Sequence, residues 1–440
     1  MQPQIQAQVQ QLRQQAASLL VYQGVLENPT GRAFLYLLEL LEAPVANGMA
    51  TLWAYGQWFS KLAAESCSWQ AFLLKQILTA ENPFSQQAQR MVLSELAPGL
   101  VAAAWHDLRA LQQLYHCQAQ QIGAWVEAIA HLENSPVIWQ DKATNGQDSP
   151  HPPIWDKLAN AEDWATVLEA LAAHYRQAGT GDFATYRAFR WVKGELRAIA
   201  HPDPIQLQEL VGYEGQRDIL RQNTHALLAG LPSLNVLLYG SRGTGKSSLV
   251  KSLLNEMGDQ GLRLIEVPKA DLGQLPEVIE RLRGLPQKFI IFVDDLSFEE
   301  DDDAFKSLKV VLEGSLSARP RNVVIYATSN RRHLVREFFG DRPRPNDADE
   351  ISSWDTVQEK LSFSDRFGLT LTFEPPDQDT YLAIVRHLAQ RANLTLAPHE
   401  LEFRALQWAT RHNGRSGRTA RQFVDFVQAE QALKECGISY

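Results

Sequence analysis

The 440-residue sequence predicts an α/β core built on a parallel sheet, set between a helical N-terminal region and a small helical C-terminal one. Two observations carry this. Between residues 205 and 375, continuous apolar runs such as 235–239 and 288–293 alternate with stretches of helical periodicity. Strands of a parallel sheet look like this because helices cover both of its faces. Outside that span, apolar residues recur at helical spacing and few segments alternate as strands do.

In chain order, helical patterns fall at 6–20, 32–41, 49–64, 69–78, 85–96 and 100–132, punctuated by Pro83 and Pro98-Gly99. Nine of the eleven tryptophans precede residue 200, among them Trp53, Trp58, Trp69, Trp105 and Trp125. They are read as large core residues between helices, the alternative being an exposed subset that forms a protein-binding face. Residues 134–153, rich in Pro, Asn, Gly, Asp and Ser, read as a surface loop. Helical pattern resumes at 155–178 and 183–199, and His201-Pro-Asp-Pro204 ends it. The expected domains are therefore 1–204, 205–375 and 376–440.

Within the core, Leu210-Val-Gly-Tyr213 precedes a helical stretch at 216–229, and the strand at 235–239 follows. That strand runs into Gly240, Ser241, Arg242, Gly243, Thr244, Gly245, Lys246, Ser247 and Ser248, where a further helix begins. Gly240, Gly245, Lys246 and Ser247 satisfy G-x-x-x-x-G-K-[ST], the phosphate-binding P-loop. Its glycines let backbone N–H groups close on phosphate oxygens, with the helix N-terminus facing the anion. Lys246 is placed to reach the β- and γ-phosphates, and the Ser247 hydroxyl to meet Mg²⁺.

Strands at 262–267, 288–295, 322–330 and 369–373 bring the expected sheet to five. The strand at 288–295 ends in Asp294-Asp295, a Walker B arrangement. Asp294 is assigned to Mg²⁺, and Asp295 to orienting and deprotonating an attacking water. The next strand ends in Asn330. The acidic run 299–303 is read as capping a helix at 304–312 rather than as further metal ligands. After the sheet, helices are expected at 377–393, 398–413 and 416–435, with Arg418 and Arg421 sharing one helix face.

Composition limits the function classes. The net charge is −9, with 13 basic against 17 acidic residues in 1–200 and 29 against 34 beyond, so neither half has the basic surplus of a dedicated nucleic-acid binder. Cys67, Cys117 and Cys436 are scattered and have no metal-ligand spacing, as in a reducing cytosol. The first residues lack a signal-peptide pattern and no apolar run is long enough to span a membrane, so a cytoplasmic protein is expected.

Walker A, Walker B, a polar residue ending the following strand, and Ser364-Asp-Arg-Phe-Gly368 together resemble the AAA+ ATPases. The wording of these stretches, with Ser416-Gly-Arg-Thr-Ala-Arg-Gln-Phe423, is similar to a bacterial AAA+ branch catalogued as a domain of unknown function with a predicted ATPase. The resemblance covers roughly 205–430. It implies an AAA+ P-loop NTPase core with a C-terminal helical lid, and an all-α N-terminal domain to which it lends little. It implies ATP and Mg²⁺ as cofactors, Val211 and Gly212 beside the adenine, and Asn330 as first sensor. Arg366 becomes an arginine finger donated into a neighbouring subunit of a homo-oligomer, a hexamer by resemblance; Arg331-Arg332 competes for that role or faces solvent. Arg418 or Arg421 becomes the second sensor, Arg418 being favoured because it follows Gly417.

Two departures from the family pattern stand out. Asp295 replaces the usual Glu, and Pro268-Lys-Ala-Asp-Leu-Gly273 lacks the aromatic residue of polypeptide-threading rings. Three readings follow: an ATPase remodelling a macromolecular client, a nucleotide-gated switch with negligible turnover, and a DNA remodeller. The last rests on a similarity of 365–368 and 381–385 to the branch-migration motor of bacterial recombination. Loop 340–350, with Arg342 and Arg344, is read as a surface segment, the alternative being a partner or nucleic-acid contact.

Overall fold

The computed structural model describes residues 2–43, 47–140, 151–297, 303–313, 320–330, 366–412 and 414–435. The chain divides into two compact units, Met1–Thr185 and Tyr186–Tyr440.

The first unit is helical. Its longer helices are Gln2–Ala17, Pro29–Glu42, Gly48–Glu65, Trp69–Leu78, Pro98–His116, Ala119–Ala130 and Leu168–Ala178. Local chemistry sets their starts: Asn28 accepts from the Thr30 and Gly31 N–H groups, and Ser68 from Ala71. The helix expected over 100–132 breaks at Cys117, and the one expected over 85–96 stops at Ala88. Trp58, Trp69 and Trp164 are fully buried, and Trp69 stacks on Phe34 at 4.0 Å and on Phe72 at 5.6 Å. Trp53 is 67% exposed, so the tryptophans divide between core and surface. The buried Asp107 carboxylate accepts the backbone N–H groups of Leu20, Val21 and Tyr22, so its charge is hydrogen-bonded rather than orphaned.

The second unit begins with a correction. Of residues 183–199, expected to be helical, only 183–185 are, as the end of the short helix Gly181–Thr185; 188–199 form a β-hairpin of β1 (Ala188–Val192) and β2 (Glu195–Ile199). Lys193 and Gly194, at φ +53° and +82°, make the two-residue turn that matches strand twist. β1 buries Phe189 and Trp191 while Arg190 faces outward to Glu266. The helical unit therefore ends at Thr185, ahead of the Pro-rich break expected at 204. The hairpin joins the sheet instead: β1 pairs in parallel with β4 (Leu262–Glu266).

The five expected strands are present as β3 (Val236–Gly240), β4, β5 (Lys288–Val293), β6 (Val323–Ser329) and β7 (Leu369–Phe373). With the hairpin they make a seven-stranded sheet in the order β2-β1-β4-β5-β6-β3-β7, parallel except at β2. β5 and β6 are buried along nearly their whole length, as covered parallel strands must be. Helices Gln378–Arg391, Pro398–Arg411 and Gly417–Glu435 form the lid around Tyr381, Val385, Ala405, Phe423 and Val424.

Asp303 starts the helix Asp303–Glu313. The remainder of the acidic run 299–303, Arg331-Arg332, loop 340–350 and Ser364-Asp365 lie outside the described residues. Among the described residues, no helix is long and apolar enough to cross a membrane.

Candidate functional site

Three parallel strands end level with one another and bring the motif residues together. β3 lies beside β6 with Tyr239 opposite Ser329, and β6 lies beside β5 with Ala327 opposite Val293. Gly240 is thus level with Asn330 and Asp294 with Thr328, and these residues gather at the carboxyl edge of the sheet, where open α/β sheets bind ligands. From β3 the chain crosses two neighbours to reach β4, which leaves the crevice open at the phosphate loop.

The loop's glycines have separate physical reasons. Gly240 has φ +140°, and a Cβ on it would lie 1.9 Å from the Phe373 carbonyl oxygen. Gly243 has φ +77° and abuts the lid: a Cβ there would meet Ser416 Oγ at 2.8 Å, and its carbonyl accepts the Arg418 N–H at 3.2 Å. Gly245 has φ +88° and opens the helix Lys246–Met257.

Lys246 Nζ donates to the Gly240 and Ser241 carbonyls, each at 2.8 Å, and to Asn330 Oδ1 at 3.3 Å. Burial pushes its pKa down, Asp294 and Asp295 oppose that, and Arg418 adds to it. Ser247 Oγ donates to Asp294 Oδ1 at 2.6 Å, and Thr328 Oγ1 donates to the same oxygen at 2.5 Å. Thr328 Oγ1 also accepts the Asp295 N–H at 2.9 Å, and Asn330 Nδ2 donates to Asp295 Oδ1 at 2.5 Å. Asp295 itself sits at φ +51°, a left-handed conformation that Asp tolerates better than most residues. One hydrogen-bonded chain thus connects the Lys246 ammonium, the Asn330 amide, Asp295, Thr328, Asp294 and the Ser247 hydroxyl.

These groups line a cavity of about 590 Å³, within the range of small-molecule sites. Residues Arg242 to Ser248, Asp294, Asp295, Asn330, Arg418 and Arg421 all face it, as does Val211. Its apolar wall comes from Ile205, Leu210, Val211, Ile384 and Leu388. Gly212 shapes the wall rather than lining it: at φ +94°, a Cβ on it would meet Thr380 of the lid at 2.5 Å. Asp294 and Ser247 are a hard-oxygen pair that fits Mg²⁺ held mostly by phosphate and water.

Arg366 is not among the residues that line the cavity; it leads into β7 beside the buried Phe367. Thr328, Glu209 and the lid residues Ile384 and Leu388 were not singled out from sequence. Thr328 had a signal, since it stands two residues before Asn330 on the same side of its strand.

A family model described as "Protein of unknown function (DUF815)" matches residues 184–431, more than half of the chain. The chain belongs to this family. The DUF815 match starts at residue 184, just ahead of the hairpin, so it takes in nearly all of the second unit and only the last two residues of the helical one. Among curated proteins, none matches. Similar solved structures include the Thermotoga maritima RuvB Holliday junction branch migration motor, at 15% identity over 53% of this chain and 67% of that one, with a TM-score of 0.38. The AAA domain of FIGL-1 in complex with ADP is similar at 18% identity over 54% of this chain and 77% of that one, with a TM-score of 0.37. The DUF815 unit has an α/β core, a seven-stranded and mostly parallel sheet carrying the P-loop pattern, followed by a helical lid.

Proposed function

We propose that this protein is a Mg²⁺-dependent ATPase that converts ATP to ADP and phosphate and uses the energy to remodel a macromolecular client as a homo-oligomer. The observation that carries the reading is the chain Lys246–Asn330–Asp295–Thr328–Asp294–Ser247 at the carboxyl edge of β3, β5 and β6. Backbone N–H groups of the loop and Lys246 bind the phosphates; Ser247 and Asp294 hold the ion, which neutralises phosphate charge. Asp295 takes the proton of the attacking water, and Asn330 orients that water.

Asp295→Asn keeps size and removes the base. Turnover is expected to fall by about two to four orders of magnitude while ATP still binds. Phosphate release and ATP titration on the same samples check this; an unchanged rate would remove Asp295 from the mechanism.

Arg366 stands outside its own chain's cavity, as a finger serving a neighbouring subunit would. Arg366→Ala is expected to retain ATP binding and lose hydrolysis. Mixing it with Asp295→Asn restores part of the activity if the finger works between subunits, because some interfaces then carry both intact groups. No recovery in mixed oligomers would refute a shared site. The hexameric number rests on the AAA+ resemblance.

One observation favours a second reading, a nucleotide-gated switch. The Asp295 carboxylate is short for this role and is already engaged by Asn330 at 2.5 Å. For a switch, the wild type would turn over no faster than Asp295→Asn.

A further inference from the structure

One wall of the cavity belongs to a strap that ties the loop helix to the lid. Asn255, on the helix Lys246–Met257, donates its side-chain amide to the carbonyls of Asp203 at 2.9 Å and Ile205 at 2.7 Å. Lys251 on the same helix pairs with the Asp203 carboxylate at 3.5 Å. Six residues along the chain from Asp203, the strap presents Glu209 to the lid. Glu209 Oε2 accepts from Arg421 at 2.6 Å, and its Oε1 accepts from Arg391 at 3.1 Å and from the Gln206 N–H at 3.3 Å. Arg391 ends the first lid helix and Arg421 lies in the third, so one carboxylate gathers two lid helices.

The Glu209 side chain is only 13% exposed, against 43% and 45% for its arginines. A largely covered carboxylate between two guanidiniums is held more firmly than an open surface pair. Ile384 and Leu388 sit on the helix that Arg391 ends, and both line the cavity. Their place in the apolar wall therefore depends on the lid staying where Glu209 holds it.

We propose that Glu209 is a positioning residue, a latch that keeps the lid over the bound nucleotide, and that Arg421 belongs to this latch while Arg418 is the lid arginine facing the phosphates. The inference rests on the nucleotide-binding reading above and specifies how that site retains its ligand. Arg418 fits the other role because its backbone N–H is bonded to the Gly243 carbonyl of the phosphate loop, which sets it beside the loop. Its charge acts on Lys246. Arg421 is drawn off to Glu209 instead.

The test titrates fluorescently labelled ATP and ADP onto the full chain and follows both equilibrium binding and release. Glu209→Gln, nearly isosteric, is expected to raise both dissociation constants about equally, on the order of tenfold, with faster release. Arg421→Gln is expected to weaken both nucleotides alike, and adding it to Glu209→Gln to cost nothing further, since the shared pair is already broken. Arg418→Gln is expected to weaken ATP more than ADP. Wild-type binding and release in Glu209→Gln would overturn the latch, as would additive losses in the double variant. An Arg421→Gln protein that loses ATP but keeps ADP would return Arg421 to the phosphates. If Glu209→Gln fails to fold, Arg421→Gln and Arg391→Gln carry the same comparison from the lid side. A wild type that binds neither nucleotide overturns the proposed function itself, which separates the two failures.

Discussion

Replacing Lys246 by Ala is expected to lower ATP affinity by about one to two orders of magnitude and to end hydrolysis. The Lys246 ammonium is largely buried and donates at 2.8 Å to two carbonyls of its own loop. It can therefore exchange these carbonyls for phosphate oxygens without moving far. Each charge-assisted hydrogen bond is worth about 1.5–3 kcal/mol, so losing a phosphate contact of this kind shifts binding by one to two orders of magnitude. The variant also removes the cation beside Asp294 and Asp295, whose charges would then face the triphosphate with less opposition. Calorimetric titration with ATP, with and without Mg²⁺, is the check. Wild-type affinity in Lys246→Ala would mean that nucleotide binds elsewhere.

Gly240→Ala is expected to have the largest effect on stability. The position has φ +140°, a region reserved for glycine, and the added Cβ would sit 1.9 Å from the Phe373 carbonyl oxygen. That oxygen also accepts the Ser241 N–H at 3.1 Å, so relieving the clash would disturb the pairing of β3 with β7 and the loop's first turn. A loss on the order of 3 kcal/mol follows from backbone strain and overpacking together. For a unit of this size that corresponds to a fall of about 6–12 °C in midpoint temperature. Thermal unfolding of Gly240→Ala beside Gly215→Ala supplies the comparison, because a Cβ at Gly215 would meet nothing within 4 Å. Equal midpoints would show that β3 and β7 separate easily at this edge.

The elements that position the phosphate-binding loop were legible from sequence for a physical reason. A loop that closes its backbone on an anion needs residues that tolerate positive φ, and such residues can be read in a row. Gly240, Gly243 and Gly245 all take positive φ in the structure. Asp294 and Asp295 were legible because a buried strand must be apolar until it emerges, so the first polar residue marks its end; Asn330 was legible as the polar residue that ends the following strand, after the buried Thr328 and Ser329. The hairpin at 188–199 was not legible as such, because its apolar residues also fit a helical period and short segments of this kind are ambiguous. Its partner in the sheet, β4, lies some seventy residues further along the chain, as the pairing of Ala188 with Leu264 records.

Sequence by itself determined where the P-loop pattern lies, which carboxylates follow β5, and that a helical lid follows the sheet. These depend on local backbone needs and on the apolar period, both of which neighbouring residues encode. Tertiary structure alone decided that the sheet has seven strands, that Thr328 ties Asp294 to Asp295, and that Arg421 is claimed by Glu209. Those outcomes join groups up to 212 residues apart, as in the pair of Glu209 and Arg421. Contacts of that separation depend on how whole elements pack, and no spacing along the chain encodes them.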